Sequence, residues 1–401
     1  MGVKTMSKKR KRTAPAVVTA PELPEEIIVE ILARLPVKSL LRFKSVSRGW
    51  QAIISGPSFI RTHLRCSASR REHDPSILIT PNILLEQLPE DFEDGYWPAN
   101  FNTHISFYQW DWQRGAPLAR AKLMDARDFP AGEFCSISFF AHCDGLVLTP
   151  TDSKLYLFNP ATRDAITLPD GHRSHNTHDA AGLGLDPVTG KYKVVQAFYR
   201  SMDPIRMGME VFTVGGTCWR EAATDPPYPI TIGTTAVSVR GCYLFWCMDR
   251  ERYPDAPCGL LRFSLRDEAF RVTVLPDSLD PAPGKVLPIE LHGELCIFHV
   301  KEAVMVYTLS INNDDPDDSQ WDLRYILSVD GMCVPMGLPN GGILLWGSRT
   351  IHRYEFSTEK LTPVCELDRI RYQGGRPAGW KNLYTFTLLP YTESLVRITA
   401  Q

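Results

Sequence analysis

No apolar run in this sequence approaches the roughly 18 residues that a membrane-crossing helix needs. The longest runs, such as Leu244-Phe245-Trp246-Cys247-Met248, stop far short, so no membrane partner is expected. The ten cysteines (Cys66, Cys135, Cys143, Cys218, Cys242, Cys247, Cys258, Cys296, Cys333 and Cys365) contain no C-x-x-C pair. That argues against a zinc knuckle or a disulfide framework and for reduced core thiols in an intracellular compartment. Gly182-x-Gly184 lacks a third glycine, and neither a P-loop nor a G-x-S-x-G elbow is present. No paired carboxylates or Ser/His/Asp spacing stand out, so no catalytic residue is assigned and no cofactor is expected. Long helical patterns are also scarce. Against that scarcity, 31 Pro and 27 Gly among 401 residues place a turn marker about every seven positions, which favours many short strands. With 44% hydrophobic and 22% charged residues, disorder, collagen and coiled coil are excluded as the main state. The length suits two or three domains, or one large β architecture with a small companion.

Neither charge sign dominates: 44 basic against 46 acidic residues give −2, which argues against nonspecific nucleic-acid binding by the body. The balance hides an asymmetry. Lys4, Lys8, Lys9, Arg10, Lys11 and Arg12 occur with no acid among the first 12 residues, leaving 38 basic against 46 acidic in the rest. The run Lys8 to Arg12 reads as a nuclear localisation signal or an electrostatic arm, the alternative being a solvated tail with no receptor. Nucleus and cytoplasm are both expected. Ala14 to Ala20 is short, is broken by Pro15 and lacks strongly apolar residues, so no secretory leader is expected there.

Helical periodicity is concentrated near the N-terminus. Pro24 suits the first position of a helix, and Glu25 and Glu26 then meet the positive end of its dipole. Ile27, Ile28, Ile31, Leu32 and Leu35 fall within an arc of roughly 140°, and Pro36 stops the helix. Val37, Leu40, Leu41 and Val46 predict a second short helix, Trp50, Ile53 and Ile54 a third, and Phe59 to Leu64 a last turn. Between Leu23 and Leu64, 18 of 42 residues are large and apolar, more than so small a unit can bury internally. Some must face a partner, or else the protein's own C-terminal body.

The stretch Leu23-Pro24-Glu25-Glu26-Ile27-Ile28-Val29-Glu30-Ile31-Leu32-Ala33-Arg34-Leu35-Pro36-Val37-Lys38-Ser39-Leu40-Leu41-Arg42-Phe43-Lys44-Ser45-Val46-Ser47-Arg48-Gly49-Trp50 resembles the F-box of plant F-box proteins. The resemblance implies that contacts to a Skp-family adaptor fall on Leu23, Pro24, Ile31, Leu35, Pro36, Leu40, Val46 and Trp50. The family commonly has Cys where this chain has Ser45.

After about residue 75 the period changes from 3.6 to 2, as in Leu155-Tyr156-Leu157-Phe158 and Glu210-Val211-Phe212-Thr213-Val214. A polar residue followed by Gly and an apolar strand recurs at Asp144-Gly145, Arg240-Gly241, His292-Gly293 and Asn340-Gly341, with spacings of 96, 52 and 48. The strand near Tyr192 to Val195 sits where a missing repeat would begin, which brings the mean to 49. A kelch-like blade is about 50 residues, so a β-propeller of four-stranded blades is expected, with a pair of β-sandwiches as the alternative. Units tend to end in an aromatic-bearing strand, at Trp219, Phe270, Trp321 and Tyr354. The strand-like run at Leu383 to Leu388 is expected to complete a blade with Ser76 to Thr80, and the body to fold without the helical cassette.

The body also resembles the F-box-associated interaction domain of the same family. The matching stretches are Cys143-Asp144-Gly145-Leu146, Asn159-Pro160-Ala161-Thr162-Arg163 with Leu168-Pro169, Gly182-Leu183-Gly184-Leu185-Asp186-Pro187 with Lys191-Tyr192-Lys193-Val194-Val195, and Cys218-Trp219-Arg220. These are turns and core strands, so they speak to the fold more than to a ligand. The expected organisation is a basic tail at 1–20, an all-α cassette at 21–65, a linker at 66–75 and an all-β propeller-like domain at 76–395.

His172, His175 and His178 could ligate a metal, but they lack a second ligand pair and read as a polar loop, so no metal site is assigned. Asn312 to Asp318 is acid-rich but has no Gly at the sixth position and Leu323 at the twelfth, so it fails as a calcium loop. The resemblance implies a non-catalytic substrate receptor of a Skp–cullin–F-box ubiquitin ligase, reaching cullin and RING subunits through the adaptor and gripping a protein target of unknown identity. Two other classes stand beside it, a propeller enzyme (oxidase or sugar-active) and a Skp-bound regulator that does not promote degradation. Target contacts are expected on loops at one face, with Trp97, Trp110, Trp112, Tyr228, Tyr253 and Trp380 as candidates.

Overall fold

The computed structural model describes residues 23–398 except 85–103, 113–119, 131–132, 134–139, 152, 173–179, 232, 277–278, 280–285, 301–302, 312–318, 330–332, 348 and 375–382. Four helices come first: α1 (Glu25–Leu32), α2 (Val37–Phe43), α3 (Arg48–Ser55) and α4 (Pro57–His73). Pro24 and Pro36 stand at the N-caps of α1 and α2, one place earlier than expected for Pro24, and Ser47 Oγ accepts the Trp50 N–H at 3.1 Å to cap α3. Pro57 opens α4, where a fixed φ and a missing N–H cost nothing. Helix α4 runs for 17 residues, so the expected last turn and most of the expected 66–75 linker are one continuous helix.

The cassette has two sides. Leu32, Val37, Leu40, Ile54 and Phe59 are buried in one continuous core with Leu78, Phe107, Leu389, Tyr391 and Leu395 of the β body. The Val37 N–H donates to Glu393 Oε2 at 2.9 Å, and His63 Nε2 lies 3.0 Å from the Leu35 carbonyl oxygen. The two units therefore share a core.

The body is a six-bladed β-propeller, and the paired-sandwich alternative falls. Blade 1 holds β1 (Ser76–Leu84), β2 (His104–Asp111) and β3 (Arg120–Asp128). Blade 2 holds β4 (Ala141–Cys143), β5 (Leu146–Pro150), β6 (Leu155–Asn159) and β7 (Asp164–Thr167). Blade 3 holds β8 (Ala181–Leu185), β9 (Tyr192–Met202), β10 (Ile205–Thr213) and β11 (Trp219–Glu221). Blade 4 holds β12 (Val237–Val239), β13 (Tyr243–Cys247), β14 (Gly259–Ser264) and β15 (Phe270–Val274). Blade 5 holds β16 (Val286–Leu291), β17 (Glu294–Val300), β18 (Val304–Ile311) and β19 (Ser319–Leu327). Blade 6 holds β20 (Val334–Gly337), β21 (Gly342–Gly347), β22 (Thr350–Glu355) and β23 (Lys360–Glu366). After the short β24 (Arg371–Tyr372), which joins β3 in parallel, β25 (Leu383–Pro390) returns to become the first strand of blade 1. It pairs antiparallel with β1, Ile77 opposite Pro390 and Ile79 opposite Leu388, so the ring closes with strands from both ends of the propeller as expected.

The sequence repeat marks one recurring turn. Asp144-Gly145 and His292-Gly293 each place two residues at positive φ in a two-residue hairpin between the first and second strands of a blade, and Arg240-Gly241 do the same in a three-residue turn closed by Val239 opposite Tyr243. Blade 3 replaces that turn with the longer Asp186–Lys191 connection, in which Gly190 takes φ 67°, and this is the repeat missing from the dipeptide pattern. A second recurrence appears in the contacts between blades. Trp219 Nε1 donates to the Pro169 carbonyl at 2.7 Å, and Trp321 Nε1 donates to the Val274 carbonyl at 2.8 Å, each tying the last strand of a blade to the end of the previous one.

Candidate functional site

The outward side of the cassette is the densest exposed apolar surface near the N-terminus. Leu23, Ile27, Ile31 and Val46 are 58%, 46%, 50% and 61% exposed, against the full burial of Leu32 and Leu40. Ile27 and Ile31 lie four residues apart on one stripe of α1. The apolar arc expected from periodicity is thus divided: Leu32, with Ile28 and Val29, turns toward the body, and Ile27 and Ile31 turn away. Pro24 and Pro36 are exposed, while Leu35 and Trp50 are half-buried. Trp50 packs edge-on against Phe43 with ring centroids 5.4 Å apart. Among the residues expected on the adaptor face, Leu40 is the exception: it is wholly buried, because the inner side of α2 packs into the core shared with the β body. Ile27 is exposed on that stripe without having been singled out for it, and its spacing from Ile31 was the available signal.

The aromatic candidates for target binding do not converge. Trp97 and Trp380 lie outside the described residues, as does the basic run Lys8 to Arg12. Trp110 is a core residue of blade 1, and Trp112 packs 6.3 Å from it with Arg353 over its ring at 5.8 Å. Tyr228 and Tyr253 form a separate pair, with centroids 6.2 Å apart, between blades 3 and 4. His172 is engaged locally: its backbone N–H and Nδ1 lie 2.9 and 3.0 Å from the carboxylate of Glu210, and its ring stacks on Phe198 at 5.0 Å. His175 and His178 lie outside the described residues.

A cavity of about 950 Å³ occupies the propeller axis and extends between blades 4 and 5. Its walls include Phe245, Trp246, Leu260, Leu287, Met336 and Leu389. One end carries Arg250 with Thr231 and Thr235, before the start of β12; the other carries His142 and Glu290. Glu290 Oε2 meets Arg71 of α4 at 3.4 Å and its other oxygen accepts the Gly293 N–H, so the cassette reaches the channel wall. Burial lowers the His142 pKa to about 4, with Glu290 opposing that shift and Arg71 adding to it. Burial raises Asp144 next to it, against the Tyr192 hydroxyl that donates to its carboxylate at 2.8 Å. No spacing in the sequence reveals this site, because its residues come from five blades and meet only when the ring closes.

The resemblance motifs act between blades. The Asn159 Nδ2 donates to the Ser394 and Val396 carbonyls at 3.2 and 2.8 Å, while its Oδ1 accepts the Ala161 and Thr162 N–H groups. Lys193 bridges Asp186 at 3.0 Å and Glu268 at 3.1 Å, and Arg220 also pairs with Glu268, linking blades 3 and 4. The Arg220 guanidinium, with help from Lys193, pulls Glu268 down to about 2. Gly145 combines φ 79° with close approach of the Thr392 carbonyl, where a β-carbon would collide.

Comparison with known proteins places both units. Residues 118–330 match the F-box associated beta propeller domain, and residues 21–62 match the F-box domain. An F-box protein of Arabidopsis thaliana is 27% identical over 340 residues, covering 82% of this chain and 67% of the relative. An F-box/kelch-repeat protein of the same plant is 24% identical over 343 residues, covering 77% and 70%. The matches span about two thirds of the relatives' own length. In a solved nidogen/laminin complex one chain is similar at TM-score 0.39 and 13% identity, over 80% of this chain and 99% of that one, a likeness too loose to bear on function.

Proposed function

This chain belongs to the F-box associated beta propeller family, and from that membership we propose that it is the substrate-recognition subunit of a Skp–cullin–F-box ubiquitin ligase. The observation that carries the reading is the outward stripe of the cassette. Leu23, Ile27, Ile31 and Val46 remain in solvent although a shared core buries the other side. A Skp-family adaptor would cover them together with Pro24, Leu35, Pro36 and Trp50, and cullin and RING subunits would follow through the adaptor. The receptor needs no catalytic residue: it holds a target's lysines near a charged conjugating enzyme, so the acceleration comes from effective concentration. Because the cassette is packed on the β body, adaptor and target would be held at a set distance. The run Lys8 to Arg12 would bring part of the population to the nucleus, and changing all five residues to Ala in a fluorescent fusion would then shift it toward the cytoplasm.

Reconstitution tests the ligase role. The full chain, mixed with purified Skp adaptor, cullin, RING subunit, conjugating enzyme and ubiquitin, should be modified on its own lysines in an adaptor-dependent manner. An adaptor-bound chain that supports no ubiquitin transfer would instead favour a binding-only regulator.

A further inference from the structure

The ligase reading leaves the axial cavity unused. At about 950 Å³ it reaches the upper part of the range typical of small-molecule sites. Its long walls are apolar, and such walls hold water poorly. Charge is confined to the ends. Arg250 stands at one end, and its Nε is buried with no hydrogen-bond partner among the described residues. Asp249, Glu251 and Arg252 line the same end of the cavity, and among the described residues no ion pair links either carboxylate to Arg250. The Asp249 carboxylate accepts the Arg252 N–H at 3.1 Å and lies 3.7 Å from the Arg252 guanidinium. Arg252 itself donates to the Tyr199 hydroxyl at 2.8 Å, and Glu251 is exposed. A planar guanidinium matches a carboxylate in two parallel hydrogen bonds. The far end has the opposite character. Glu290 is already held by Arg71 and the Gly293 N–H, and its negative charge disfavours a second anion there, while the neighbouring imidazole of His142 can exchange hydrogen bonds with a neutral group.

We propose that the channel binds a small amphipathic carboxylic acid, its carboxylate on Arg250, its apolar body against Phe245, Leu260, Leu287 and Leu389, and its neutral end toward His142. This assignment does not depend on the ligase role. Cys247 and Cys258 also line the cavity, which gives an occupant a chemical signature.

The probe is 11-(dansylamino)undecanoic acid, compared with its methyl ester, on the full chain. The acid should bind saturably with enhanced dansyl emission and at least about tenfold more tightly than the ester, the size of one charge-assisted contact. Arg250→Gln should erase that preference without moving the thermal midpoint. In the unsubstituted chain the acid should also slow maleimide labelling of Cys247 and Cys258, followed by peptide mass spectrometry, while labelling of the exposed Cys218 is unchanged. That second readout holds if the Arg250 variant does not fold. Equal affinity for acid and ester, a preference that survives Arg250→Gln, or unprotected channel thiols would overturn the proposal. So would a peptide ending in Leu-Leu with a free carboxyl that binds through Arg250 when the dansyl acid does not, since the site would then take polypeptide ends.

Discussion

In the cassette, residues that mark it stand in solvent: Leu23, Ile31 and Val46 are at least half exposed. In the propeller, the marking residues point inward, with Asn159 fully buried and holding the returning C-terminal segment, and Lys193 buried and joining blade 3 to Glu268 of blade 4. A motif made of exposed apolar residues describes a contact with something else, whereas one made of buried polar residues describes how the ring is assembled. The cassette motif therefore speaks to a partner, and the propeller motifs leave target choice to other residues.

The comparison is broken most severely at ring closure. Ending the chain at Ala378 removes β25, leaves β1 as an unpaired edge and uncovers Ile77 and Ile79. Aggregation on purification is expected, checked by size-exclusion chromatography. A soluble truncation that melts cooperatively would show that closure from both ends is dispensable. A single buried clamp should have a smaller but large effect. Asn159→Ala strands the Val396 carbonyl and the Ala161 N–H in the interior, costing about 3 kcal/mol, read as a lower urea midpoint with adaptor affinity unchanged.

The two regions also differ in how far they were legible from sequence. α1 and α2 announce themselves through proline punctuation and apolar spacing, and the blade period emerges from the turn dipeptides because a two-residue hairpin imposes positive φ. The division of the α1 arc was not legible: Ile27 and Leu32 look alike in a periodicity argument, and only the position of the β body decides which is covered. The burial of Leu40 was missed for the same reason. The long α4 was missed because its sequence, rich in Arg and Ser, lacks a sustained apolar stripe. The channel was invisible, being assembled from residues far apart in the chain.

Acid should weaken the folded chain through buried groups that the cassette's exposed face lacks. Burial holds His63 and His142 below the ordinary histidine range, His142 at about 4. The unfolded chain therefore takes up protons from about pH 6.5 downward that the folded chain does not yet accept, so stability falls as pH drops toward 4. Glu268, held at about 2, adds a second loss as pH falls below its ordinary value of 4.5. Urea midpoints should decline from pH 7 to 5 and again below 4.5, and His142→Phe should flatten the first decline. A midpoint independent of pH between 7 and 5 would contradict the assignment. The smallest expected effect belongs to Arg71→Ala. Losing its 3.4 Å contact with Glu290 should cost about 1 kcal/mol, seen as faster amide exchange in the last turn of α4 rather than as unfolding.

Calorimetry of the full chain with a purified Skp-family adaptor addresses the cassette directly. Leu23 and Ile31 contribute to its exposed stripe and are absent from the shared core, so Leu23→Ala combined with Ile31→Ala should leave the thermal transition in place. Truncating two interface anchors at about 2 kcal/mol each should weaken binding by at least roughly a hundredfold. Such a loss with unchanged melting is the result this account predicts; equal affinity for the original and doubly substituted chains would contradict it.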